Sequence, residues 1–198
     1  MPRLAATERD VRRHRLIDAA LRCVASKGFR ELTVDEVCAA AGVSKGTFYG
    51  YFETKHDLLI ALLDEDAAAI EHLMQQLDRA ELPGPERLRQ FARAFLERSE
   101  GPGITQLSAD LWGHMLTEPA VQTRLSEAVA RRRVVLREWV QHSVQAGEMV
   151  DIPANAFASI LLALGDGLMI HASADPAGFK WPNIRKALDA LLDGISTA

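Results

Sequence analysis

Apolar side chains return every three or four residues along almost the whole chain, and no stretch alternates as a half-buried strand does, so the pattern predicts an all-α protein. Leu16, Ile17, Ala20, Leu21 and Val24 make one stripe of a helix over about 7–27, opened by Thr7 with Asp10 and stopped by Gly28. Thr33 with Glu36 is a second capping box, for a helix striped by Val34, Val37 and Ala41. Gly42 ends it, because only glycine turns left-handed at that position without steric cost. Ser44 then caps a very short helix, and Thr54 with Asp57 opens a long one over about 55–80. Its stripe includes Leu58, Leu62, Ile70, Met74 and Leu77, and Pro83-Gly84-Pro85 breaks it. Five more helical patterns follow, over about 85–99, 104–117, 119–146, 153–173 and 182–196.

The short third helix carries the chemistry. Phe48 and Phe52, four apart, share its buried face, while Gly46, Thr47 and Gly50 lie opposite, flanked by Tyr49 and Tyr51, with Lys45 in the first turn. Such a helix presents hydroxyls, a cation and bare backbone, as suits an element lying in a DNA major groove. Lys55, beside free backbone N–H groups at the next helix start, suits a phosphate. The net charge of −4 speaks against a polyanion partner until the chain is divided. Residues 1–56 hold 10 Lys or Arg against 7 Asp or Glu, so the positive charge is local to the end that carries this motif. Arg9, Arg12, Arg13 and Arg15 crowd the first helix; they read as phosphate contacts or equally as a solvated basic face, and the arm around Arg3 as a groove contact.

The Thr-led helix, AGVSKGTFYGYF and the lysine three residues later resemble the N-terminal helix-turn-helix of TetR-family transcriptional repressors, over about 7–63. The resemblance implies contacts to bases or groove from Lys45, Thr47 and Tyr51, and to phosphates from Thr33, Tyr49 and Lys55, with Ser44, Gly46 and Gly50 in the same surface. Gly50 stands where the family often has a larger side chain, so no side-chain readout is expected there. The second half resembles the family's C-terminal domain in helix number, and ALGDGLMIHA over 163–172 is similar to its betaine-regulator branch. Dimerisation and an effector pocket are what that resemblance implies.

FASILLALGDGLMI is apolar nearly all round, which suggests two dry faces and, with Ile184, Leu188, Leu191, Leu192 and Ile195, a four-helix interface with a second copy. Gly165 and Gly167 permit close approach there, and Asp166 between them is a hydrogen-bonded interface group or a ligand contact. Phe91, Phe95, Trp112, Met115, Trp139 and Ser143 sit on predicted inner faces and are read as a ligand cavity or as core. Arg131, Arg132 and Arg133 read as favouring an anionic ligand or as a solvated run. The six histidines and two cysteines show no metal-ligand spacing, and no nucleophile, P-loop or dinucleotide motif appears, so neither enzyme nor cofactor is expected. Cys23 and Cys38 read as small buried hydrophobes. With no signal-peptide h-region and no apolar run of roughly 18–20 residues, the expectation is a cytoplasmic protein without a membrane partner.

The chain therefore reads as a DNA-binding unit over 1–56 and a helical ligand-binding and dimerisation domain over 57–198. The expected function is a ligand-responsive repressor occupying a palindromic operator as a homodimer. The alternative is a helical small-molecule or partner-binding protein whose helix-turn-helix is only structural.

Overall fold

The computed structural model describes residues 2–101 and 103–197, with side chains from residue 8 onward. Among these residues the elements are α1 (Pro2–Glu31), α2 (Val34–Ala41), α3 (Lys45–Tyr49), α4 (Lys55–Asp78), α5 (Gly84–Ser99), α6 (Ile104–Met115), α7 (Pro119–Gln145), α8 (Ala154–Ala174) and α9 (Trp181–Ile195). The only extended pairing among them is an antiparallel bridge between Met149 and Ser196. The side chain of Arg3 and the Thr7 cap lie outside the described side chains. The backbone is already helical from Pro2, so α1 begins earlier than Thr7.

Local chemistry sets most boundaries. Gly28 breaks α1 at φ 77° and ψ 168°. The Thr33–Glu36 and Thr54–Asp57 boxes both form with reciprocal bonds, which satisfies the first free N–H groups of α2 and α4. Gly42 adopts φ 67° at the end of α2, and the Ser44 hydroxyl accepts from Thr47 N–H at the start of α3.

Two apolar cores result. The first joins α1, α2, α3 and the start of α4, and Leu107, Leu111 and Val121 from α6 and α7 complete it. The second gathers Met74, Leu88, Leu136, Trp139 and Leu192 from α4, α5, α7 and α9. The long α4 runs through both, with Leu58 and Leu62 buried at one end and Ile70 and Met74 further along. By length and composition alone α8 is apolar enough to cross a membrane, a test that a helix packed within a helical bundle also passes. In the fold it packs on α6 and α7 along one side and leaves Ile160, Leu164 and Ile170 exposed on another.

Candidate nucleic-acid interface and effector cavity

The α2–α3 unit is held from beneath. Phe48 is fully buried, with Tyr49 edge-on to its ring and Phe52 tilted against it at 5.5 Å. With that side anchored, Ser44, Lys45, Gly46, Tyr49 and Gly50 are exposed, and Thr47 and Tyr51 half-buried. A methyl group at Gly46 would meet nothing closer than Ser44 Oγ at 3.7 Å, so the backbone there is open to close approach. Gly50 is the α3 C-cap, at φ −73°.

The arginines of α1 sit beside this surface. Arg9 lies 5.8 Å over the Tyr51 ring and Arg13 5.8 Å over Phe52, while Arg12 and Arg15 border a hollow whose other wall is the α2–α3 turn and Thr47. Lys45 bonds Asp35 at 2.7 Å, which raises its pKa and holds its ammonium beside α2. Both partners are well exposed, so the pair is easily exchanged for a phosphate or base edge. Lys55 is engaged within the chain. Its Nζ donates to the Arg30 carbonyl at 2.9 Å and lies 4.7 Å over the Phe29 ring, and desolvation there lowers its pKa. It braces the start of α4 against the end of α1. Thr33 is exposed, but its hydroxyl is engaged in the α2 capping box.

α6 grips the same junction from the other domain. Asp110 Oδ2 accepts from Phe29 N–H at 2.5 Å, just past the Gly28 break. A methyl group at Gly28 would lie 3.3 Å from that oxygen, so glycine serves both the turn and the approach. Four residues along, His114 bonds one Glu118 oxygen, while the other lies 2.6 Å from His56 Nδ1 in the first turn of α4.

The six residues expected to form one effector cavity divide. Phe91 and Phe95 line a cavity between α4, α5, α7, α8 and α9, with about 60 Å³ of room for water-sized occupants and an opening to solvent. Trp112 faces a separate groove beside Arg133 and Ile170. Met115 packs on the first core. Trp139 is buried in the second, edge-on to Phe91, with its indole N–H on Asp78. Ser143 donates to the Trp139 carbonyl and lies directly against Gly84. Helical spacing identified inner faces, but not which neighbour each face meets.

Two wall residues carry charge. Asp166, on α8, borders both the cavity and the Trp112 groove; burial raises its pKa, and nearby Arg132 partly opposes the rise. Arg132 was legible only as one of three arginines. It turns inward on α7 beneath its neighbours, whereas Arg131 pairs outside with Glu71 at 2.7 Å. Among the described residues no group of three or more His, Cys, Asp or Glu is placed to hold a metal ion.

A short helix presented on two capped turns, beside an arginine-bearing helix and joined by one long helix to a second bundle, defines a helix-turn-helix DNA-binding regulator. Residues 16–62 match the family of bacterial regulatory proteins of the tetR type, and residues 84–197 match the C-terminal domain of BetI-type transcriptional repressors. The chain belongs to the TetR family, with a BetI-type C-terminal domain. It is 24% identical over 199 residues to the transcriptional repressor AcnR of Corynebacterium diphtheriae, covering 100% of this chain and 98% of that one. It is 28% identical over 172 residues to the regulator SrpR of Pseudomonas putida, covering 85% and 78%. A transcriptional regulator from Saccharomonospora viridis, solved in complex with choline, has the same fold with a TM-score of 0.81 at 20% identity, covering 96% of this chain and 99% of that one. A TetR-family regulator from Agrobacterium tumefaciens superposes with a TM-score of 0.81 at 16% identity, covering 96% and 100%.

Proposed function

We propose that this regulator represses transcription in the cytoplasm by occupying a palindromic operator as a homodimer, and that a small molecule bound in the C-terminal half changes its grip. The observation that carries this reading is the exposed face of α3. A motif that serves folding alone needs only the Phe48 and Phe52 side, yet Lys45, Thr47 and Tyr49 stand opposite, with Arg9 and Arg13 stacked on the adjoining aromatic rings. In this reading Ser44, Lys45, Gly46, Thr47, Gly50 and Tyr51 face base edges and groove, and Thr33, Tyr49, Arg12 and Arg15 meet phosphates. Lys55 acts as a brace. The functional division at 1–56 and 57–198 leaves α4 as the element that belongs to both halves.

The dimer forms through α8 and α9. Ile160 is 60% exposed on α8, where Leu164 and Ile170 are exposed too, and Leu191 is 65% exposed on α9; a second copy covers these apolar side chains by two-fold symmetry. Selection of bound duplexes from a random pool tests the whole reading. The expected product is one motif with two inverted half-sites about one helical turn apart. A pool without enriched sequence would overturn it.

A further inference from the structure

The cavity is lined almost wholly by apolar side chains, among them Phe91, Leu136, Leu161 and Leu188, and only Arg132 and Asp166 interrupt them. These two charges are not equivalent. A carboxyl group relieves its burial by taking a proton, and desolvation pushes the pKa of Asp166 in that direction. A guanidinium keeps its charge at any physiological pH, so Arg132 must find acceptors instead. It has few. Its side chain is only 13% exposed, its Nε has no hydrogen-bond partner among the described residues, and the nearest carboxylate, Asp66 Oδ2, is 4.0 Å away. The other Asp66 oxygen is already held by Arg98 at 2.9 Å and 3.3 Å. The unmet demand in this apolar chamber is therefore that of a cation.

We propose that this cavity binds a carboxylate-bearing amphiphile, its hydrocarbon body against the leucine and phenylalanine walls and its carboxylate on Arg132. This rests on the reading that the C-terminal half takes an effector, and it names the chemical class. The same contact gives the ligand a route to α4. Asp66 stands on that helix and shares its charge between Arg98 of α5 and Arg132 of α7. A ligand carboxylate competes with Asp66 for Arg132 and leaves α4 held by fewer charges from the bundle. Ile70, one turn further along α4, lines the same cavity, so the ligand body touches the helix as well.

Calorimetric titration of the full chain with decanoate, decanol and decyltrimethylammonium, each below its micelle concentration at pH 7, tests the assignment. Decanoate is expected to bind at least tenfold more tightly than decanol, and the trimethylammonium compound more weakly than either. In Arg132→Met the advantage of decanoate over decanol is expected to fall close to one. Tightest binding of the trimethylammonium compound would assign the cavity to cations through Asp166, and absence of binding by all three would remove the amphiphile. An unchanged decanoate advantage in Arg132→Met would also overturn the proposal. Should that variant fail to fold, the three-ligand comparison on the natural chain decides alone. Operator binding measured on the same preparation separates the two readings: failure of amphiphile binding with a specific operator complex intact defeats only the ligand class, and loss of specific operator binding defeats the regulator reading.

Discussion

Removing the Asp110 carboxylate tests whether the DNA-binding unit is held by the C-terminal domain. Phe29 is 3% exposed, and the acceptor its N–H has is the carboxylate that α6 brings to the break in α1. Asp110→Ala leaves a donor short of a partner in a largely dry place, and the loss of a hydrogen bond to a charged group costs about 1.5–3 kcal/mol. For a domain of this size each kcal/mol moves Tm by about 2–4 °C, so the expected fall is about 3–12 °C. Asp110→Asn keeps an oxygen in place without the charge, and about half of that loss is expected, since neutral hydrogen bonds are roughly half as strong. Thermal unfolding at one fixed protein concentration gives the size of the effect, because dimerisation makes Tm concentration-dependent. Amide exchange gives its place: Phe29 should lose protection in Asp110→Ala while Leu136 in the second core keeps its own. A change below about 0.5 kcal/mol, or unaltered exchange at Phe29, would refute the claim that this bond joins the domains.

Ile160→Glu places a charge on the exposed face of α8 in both copies, and sedimentation should show monomers; an intact dimer would put the interface elsewhere. Hydrogen bonds from Lys27 and from Thr33 lower the Glu36 pKa from the usual carboxylate value to about 2. A depressed folded-state pKa contributes stability that is present above the unfolded value near 4.5 and lost as pH falls toward 2, so the Tm gap between the natural chain and Glu36→Gln should narrow across that window and stay constant above it. Lys45→Ala should relax preference at one half-site position by roughly fivefold or more, read by competition between single-base operator variants.

The features legible in the sequence were those decided within a turn of helix. Thr33 with Glu36, Thr54 with Asp57, Gly42 and Ser44 act over three residues or fewer, and each sits where its local chemistry puts it. The start of α1 was misplaced because a threonine suited to capping lies inside a helix that Pro2 already opens, and proline is well tolerated at a first helical position. Long-range choices were not legible. Nothing local marks Leu107, Leu111 and Val121 as completing the core of the DNA-binding unit, or turns Lys55 inward onto the Arg30 carbonyl. Arg132 is an intermediate case. It stands in an i, i+4 row with the buried Ala128, Leu136 and Val140, whereas its two neighbours are rotated about 100° away, so the row separates it from the run once burial is asked of each position.

The central claim is that the α3 face reads a specific duplex. Fluorescence anisotropy titrations of the selected operator and of a scrambled duplex of equal length, at 50 mM and 200 mM salt, test it most directly. The account predicts preference for the operator by about a thousandfold or more, together with a steep loss of affinity for both duplexes at the higher salt as arginine and lysine contacts release counterions. Equal affinity for the two duplexes at both salt concentrations would contradict it.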